Sequence, residues 1–402
     1  MHIVDISALY SPTGGGIRTY TRHKLRAAHR LGVQLTVVVP GAEDHVEQVN
    51  AHARLVSIAS PRFPLDRSYF YFASDAIIHA ALDEYRPDFV EASSPWGSAT
   101  AVARWPGKVP RALIMHAEPV SAWGHRWFEG IADHDTIDRL SVPFWRRFRK
   151  LDQAFDIVIS AAPSLTRRLA TGGMRRVETI PMGVEPGIFS PLHRDPALRA
   201  RLLERCQLPE TATLLLGSGR FSPEKRWPLV IAAAAAAGYS RPLGLAIIGD
   251  GHDRVKVAAA AGENPHVLLL APTDSRADFA RLMASADLLV HGSSAETFGM
   301  VQAEARASGL PMVVPDEGAA ADQAQPDASD PAVVAGGTPG RALTYITGDA
   351  ASAASVIGRA IDNLPAMQAA ALAAVPAVRP MDAHFDELFA RYAELAAARR
   401  AA

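Results

Sequence analysis

Short apolar runs alternate with helix-length segments along the whole chain, and the alternation restarts halfway. In the first half the runs fall at 2–6, 34–39, 88–91, 112–116 and 157–160. In the second they fall at 213–217, 244–249, 267–270, 288–291 and 312–314. Such a pattern builds parallel sheets flanked by helices, because each parallel connection needs a long crossover that a helix fills. Two separate sets predict two Rossmann-like α/β domains rather than one very wide sheet, and 402 residues suffice for two or three domains of roughly 150. Pro186, Gly187, Pro191 and Pro196 break regular structure between the sets. The expected division is therefore a first domain over 1–185, a linker over 186–208 and a second domain over 209–375. Residues 376–402 form the last segment, where Phe385, Leu388, Phe389, Tyr392 and Leu395 repeat at helical spacing. That single apolar stripe must pack on something. The Ala-, Asp-, Pro- and Gly-rich stretch 318–340 reads as a long loop.

Composition removes several classes of function. Lys plus Arg is 41 and Asp plus Glu is 42, a net charge of −1 that argues against a dedicated nucleic-acid binder. The one cysteine, Cys206, excludes an intramolecular disulfide and fits a reducing compartment. The longest apolar stretch, 229–238, is far short of the roughly 18 residues of a membrane span. The first apolar run holds an acid and no basic leader precedes it, so a signal peptide is not expected. The expected location is the cytoplasm, with the inner membrane face left open as a peripheral contact.

Four segments carry chemistry. After the first run comes Gly14-Gly15-Gly16, either a tight turn or a loop whose backbone approaches a sugar or phosphate at a helix start. It is not G-x-G-x-x-G, and no acidic residue follows where a dinucleotide ribose needs one. The second half opens with Gly219-Arg220-Phe221-Ser222-Pro223-Glu224-Lys225, where Arg220 and Lys225 could hold a pyrophosphate from one loop or lie solvated. In His291-Gly292-Ser293-Ser294-Ala295-Glu296-Thr297-Phe298-Gly299-Met300-Val301-Gln302-Ala303-Glu304 a strand gives way to a helix near Phe298. Free amides at Gly299, Met300 and Val301 would face an anion there. Glu296 can accept hydroxyl hydrogen bonds, and Glu304 can bridge two vicinal ribose hydroxyls. Asp133-His134-Asp135 has the look of a metal-binding D-x-D but lacks a supporting strand, and no metal is expected.

Glu296 and Glu304, separated by seven residues within ETFGMVQAE, resemble the signature of family-4 glycosyltransferases. Gly219 to Lys225 is similar to that family's donor-pyrophosphate loop. Ile248 to Arg254 resembles a later loop, Pro181-Met182-Gly183-Val184 with Phe189 the interdomain connector, and Gly14-Gly15-Gly16 the first glycine-rich loop. The likeness runs in order over residues 1–315. It implies a GT-B architecture, with two Rossmann-like domains facing across a cleft, and transfer with retention at the anomeric carbon and without a metal or other cofactor. By the same resemblance Arg220 and Lys225 hold the diphosphate and Glu304 the ribose. Glu296 faces the donor sugar, and Phe298, Gly299, Met300 and Val301 lie near phosphate and sugar. Gly15 and Gly16 approach the donor from the first domain, and His116 reaches the transferred sugar. Met182 stands where the family commonly has asparagine, and 315–320 lacks the usual paired glycines.

The implied substrates are a UDP- or GDP-linked sugar and a glycan or lipid acceptor, with no nucleic acid. Segment 141–150 interleaves Phe144, Trp145 and Phe148 with four cations. It reads either as an amphipathic core helix or as a contact with an anionic membrane. Trp123 and Trp127 could stack on a sugar or simply pack. Competing readings are a nucleotide-sugar epimerase, a sugar phosphorylase, or a non-catalytic nucleotide-sugar-binding protein of the same fold.

Overall fold

The structure is a computed structural model that describes residues 1–8, 10, 16–64, 69–116, 136–137, 140–325 and 340–401. The chain divides into two compact units, Met1–Met182 with Met381–Ala402, and Gly183–Pro380.

The first unit is built on eight strands in the order β3-β4-β2-β1-β5-β6-β7-β8. They are β1 His2–Ile6, β2 Gln34–Gly41, β3 His45–Gln48, β4 Ala53–Ala59, β5 Phe89–Ala92, β6 Arg111–Ile114, β7 Ile157–Ser160 and β8 Val177–Thr179. All pairs are parallel except β3 with β4. The central strands are buried along their length, as helices on both faces require, and so read as unbroken apolar runs. Strand β3 is exposed at all four residues and lies at the edge, so its sequence HVEQ carries no apolar signal. The last helix, Met381–Ala401, belongs to this unit and buries Phe385, Leu388, Phe389 and Tyr392. Within the expected amphipathic segment, helix Val142–Ala154 buries Trp145 and Phe148, but Phe144 is 43% exposed.

The second unit has six parallel strands in the order β11-β10-β9-β12-β13-β14. They are β9 Thr213–Ser218, β10 Leu243–Ile248, β11 Val267–Leu270, β12 Leu288–Val290, β13 Met312–Pro315 and β14 Ala342–Tyr345. Side chains alternate between two cores: Leu215, Leu245, Ile247 and Val313 pack on one face. Leu214, Leu216, Ala246, Ile248, Met312 and Val314 pack on the other. This strict period of two is the pleat expressed as packing.

Two expectations need correcting. Residues 186–208 are not a linker: helix Pro196–Arg205 buries Leu202 and Leu203 in the second unit's core. Asp195 caps it, accepting from the Leu198 N–H at 3.0 Å, so the prolines mark a helix start rather than an irregular stretch. Likewise 318–340 is not all loop, because Gly318–Ala324 is a helix with Ala319, Ala320 and Gln323 buried; residues 326–339 lie outside the described ones.

Candidate functional site

The chemistry-bearing residues of the second unit meet at the carboxyl ends of β9, β10 and β12, where open parallel sheets place ligands. Beyond β9 the chain turns through Gly219, at φ +148°, and is laced to the loop after β10. Phe221 N–H donates to the Asp250 carbonyl at 2.9 Å and Asp253 N–H to the Phe221 carbonyl at 2.9 Å. The two loops approach so closely that a Cβ at Gly249 would lie 2.0 Å from the Gly219 carbonyl oxygen. Trp227 is 1% exposed and its Nε1–H donates to the Arg220 carbonyl at 3.0 Å, which pins the loop from beneath. The Arg220 side chain itself is exposed and has no ion-pair partner among the described residues. Lys225 ends the one-turn helix Pro223–Lys225 and reaches across to the loop after β12.

There Lys225 Nζ pairs with Glu296 Oε1. The same oxygen accepts from His291 Nε2 at 3.0 Å, while Oε2 has no hydrogen bond among the described residues. Burial would raise the Glu296 carboxyl, but the Lys225 ammonium and the His291 hydrogen bond overcome it and hold the group far below the usual carboxylate range. Glu296 is therefore ionised at neutral pH. His291, at the end of β12, is 1% exposed, and burial pushes its imidazole pKa down. Neighbouring groups fix the rest of the loop: Tyr345 OH donates to the His291 carbonyl at 2.8 Å, and Arg226 Nη1 to Ser294 Oγ at 3.2 Å.

Gly299, at φ +82°, caps helix Met300–Ala307. Phe298 is buried, and its carbonyl accepts from Gln323 Nε2 at 3.1 Å, while Met300 and Val301 remain half-buried in the first turn. On this helix Glu304 is 4% exposed, and burial pushes its carboxyl up against the opposing pull of Arg276. Arg276 Nη2 donates to Glu304 Oε1 at 2.8 Å, its Nε lies 3.5 Å from Glu185 Oε2, and its guanidinium sits 4.9 Å from the Phe189 ring centroid.

The first unit holds a second group of buried polar side chains. Lys24, 0% exposed, lies 2.9 Å from Asp5 Oδ2 and 2.5 Å from Glu91 Oε2. Ser93 Oγ lies within 2.8 Å of Asp5 and 2.7 Å of Glu91, and Tyr392 OH donates to Glu91 Oε2 at 2.8 Å. His116, just past β6, packs edge-on against Tyr20 with centroids 4.8 Å apart. Its Nε2 is buried with no partner among the described residues, and burial pushes its pKa down to about 4. Tyr20 OH in turn lies 3.0 Å from His384 Nε2. Gly16 opens helix Gly16–Arg30 and is exposed. Gly15, Trp123, Trp127 and Asp133-His134-Asp135 lie outside the described residues.

Thus Arg220, Lys225, Glu296, Phe298, Gly299, Met300, Val301 and Glu304 lie on one set of loops and one helix of the second unit, and His116 and Gly16 in the first. Sequence reasoning passed over His291, Arg276 and the Asp5–Lys24–Glu91 cluster. His291 stands five residues before Glu296 at a strand end, a signal that could have been read. Asp5, Lys24 and Glu91 come from separate elements, and nothing local marks them as partners.

Parallel sheets with chemistry at their carboxyl ends, and a Gly-rich cationic loop beside a strand–turn–helix carrying two glutamates, define a GT-B glycosyltransferase. The profile of the family described as "Glycosyltransferase Family 4" matches residues 14–187, and that of "Glycosyl transferases group 1" matches residues 200–339. A GDP-mannose-dependent alpha-mannosyltransferase of Mycobacterium tuberculosis is 26% identical over 333 residues, 81% of this chain and 82% of the relative. Among solved structures, sucrose-phosphate synthase from Thermosynechococcus elongatus superposes with a TM-score of 0.75 at 18% identity, over 99% of this chain and 100% of the other. Anabaena Alr3699/HepE in complex with UDP-glucose gives 0.68 at 18%, over 98% and 100%. The chain belongs to glycosyltransferase family 4 and transfers a sugar from a nucleotide-sugar donor.

Proposed function

We propose that the protein is a retaining, metal-independent hexosyltransferase that uses a nucleotide-diphosphate hexose, GDP-mannose foremost, and delivers the hexose to a hydroxyl of a glycan or lipid. The observation that carries this reading is the cationic pair Arg220 and Lys225 beside an ionised Glu296 at the end of β12. Breaking the anomeric C–O bond builds negative charge on the departing diphosphate. Two cations there lower the barrier and supply the charge that a divalent ion would otherwise bring. Glu296 offers Oε2 to hydroxyls of the donor sugar, and Glu304, held by Arg276 through Oε1, offers its other oxygen to the ribose. The mannosyltransferase relative supports mannose and guanosine as first choices. His116, neutral at pH 7, has an Nε2 with no partner among the described residues of the first unit, a group able to hydrogen-bond a hydroxyl. In retention without a covalent intermediate, the leaving phosphate takes the proton of the incoming hydroxyl on the same face.

A lipid acceptor is favoured by the exposed apolar residues Leu140, Val142 and Phe144 beside the exposed Arg146 and Lys150, which suit the surface of an anionic bilayer.

The test is a thermal-shift panel with GDP, UDP, ADP and dTDP on wild type and the Arg220→Ala, Lys225→Ala double variant. A ligand at 100 times its Kd adds about 2.7 kcal/mol. One nucleotide should stabilise wild type and not the variant. Transfer from the matching sugar nucleotide should continue in EDTA and give an anomer of unchanged configuration. Stabilisation by none of the four, or an inverted product, refutes the reading.

A further inference from the structure

We infer that His291 is a positioning residue for the donor sugar, acting through Glu296: its imidazole clamps one carboxylate oxygen so that the other is presented to the hexose. This rests on the proposed transferase reading and deepens it. An ionised carboxylate can only accept, so the hydrogen bond at 3.0 Å requires the proton to be on His291 Nε2. The Tyr345 hydroxyl holds the His291 carbonyl at 2.8 Å, which fixes the backbone from which the ring projects. A Cβ at Gly292 would lie 2.5 Å from the Lys225 carbonyl oxygen, so the next residue has no room to shift. His291 Nδ1 is buried and has no partner among the described residues, so the Nε2 contact is the ring's one anchor there.

The arrangement matters because Lys225 shares the same oxygen. A diphosphate arriving beside Lys225 and Arg220 competes for the ammonium. Once Lys225 turns to the phosphate, His291 alone keeps Glu296 Oε1 in place. Without His291 the freed carboxylate can rotate toward water or follow Lys225 to the diphosphate, where its charge opposes the leaving group. The donor would still bind through phosphate and ribose, but the sugar would be poorly oriented for transfer.

The test uses the full chain with GDP-mannose and with UDP-glucose, following release of nucleoside diphosphate, together with the Kd of GDP and UDP. In His291→Phe, which keeps the ring and loses the donor, kcat should fall about tenfold or more while nucleoside diphosphate Kd stays within about threefold. His291→Gln places an amide N–H at the same reach and should recover most of the loss. In wild type, nitrogen NMR of labelled histidine should show His291 as the Nε2–H tautomer with and without nucleotide. Unchanged turnover in His291→Phe, no recovery in His291→Gln, a parallel loss of nucleotide affinity, failure of both variants to fold, or an Nδ1–H tautomer each overturns the assignment. If wild type binds neither nucleotide, the transferase reading falls first and this inference with it; normal wild-type turnover with an indifferent His291→Phe sinks this inference alone.

Discussion

Replacing Lys24 with methionine should unfold the first unit far more readily than its single-residue scale suggests. Lys24 is 0% exposed, Asp5 and Glu91 are 1% and 0% exposed, and the ammonium lies within 2.9 Å of both carboxylates. Lys24→Met fills similar volume but leaves two buried carboxyl groups whose remaining side-chain donors among the described residues are Ser93 and Tyr392. Removing one partner of a buried ion pair typically costs about 3–5 kcal/mol. With a urea m-value of about 2 kcal/mol/M, a loss of about 4 kcal/mol moves the midpoint down by about 2 M. Five of the six tryptophans lie in the first unit's sequence, so fluorescence reports its unfolding. The pH dependence gives an independent check. In wild type, burial and then Glu91 raise the Asp5 carboxyl to about 6, with Lys24 opposing. Without Lys24 the carboxyl rises further, so the folded variant takes up a proton that the unfolded chain does not. A raised carboxyl pKa means stability gained as pH falls. The deficit against wild type should therefore shrink by about 1.4 kcal/mol per pH unit between the variant's raised pKa and about 6. A variant within about 0.5 kcal/mol of wild type, as for an ordinary surface substitution, or a deficit that grows toward pH 6, would refute the reasoning.

Three further outcomes follow from the geometry. Gly318 has φ +73° and a Cβ there would sit 1.9 Å from the Ser294 carbonyl oxygen, so Gly318→Ala should destabilise the second unit by roughly 2 kcal/mol or more and abolish nucleotide-induced thermal shifts. Tyr392→Phe keeps the stacking on Phe89, centroids 4.2 Å apart, and removes only the hydroxyl on Glu91; chemical denaturation should show a loss of about 1.5–3 kcal/mol. Burial already raises the Glu304 carboxyl and Arg276 opposes it, so Arg276→Ala should raise it further. If ionised Glu304 holds the ribose, nucleotide affinity measured by calorimetry should weaken as pH falls, and the weakening should set in at higher pH in the variant than in wild type.

Ten of the fourteen strands among the described residues were legible as apolar runs, because a strand covered on both faces is mostly apolar, even where β1 carries Asp5 and β5 carries Glu91. The other four are β3, β4, β8 and β14. Strand β3 is fully exposed, and β8 and β14 lie at sheet edges where one side is unpaired and polar residues are tolerated. The helix Pro196–Arg205 was missed for a different reason. Its prolines read as breakers, yet proline at the first position of a helix is compatible with helical geometry.

The site divides along the same line. Arg220, Lys225 and Glu296 lie between strand ends and helix starts, and Glu304 on the helix that follows, in segments whose glycine and charge content made them candidates from the sequence. Their pairing was not legible: Lys225 and Glu296 are 71 residues apart, and Arg276 and Glu304 are 28 apart. Local sequence dictates strand, turn and helix because those depend on neighbours within a few residues. Which oxygen of Glu296 is clamped, which is left for a ligand, and which cations and carboxylates share a buried site depend on parallel strands bringing distant loop ends together. Only the tertiary structure decides that, since the energy of a buried charge is set by the partners that reach it through space.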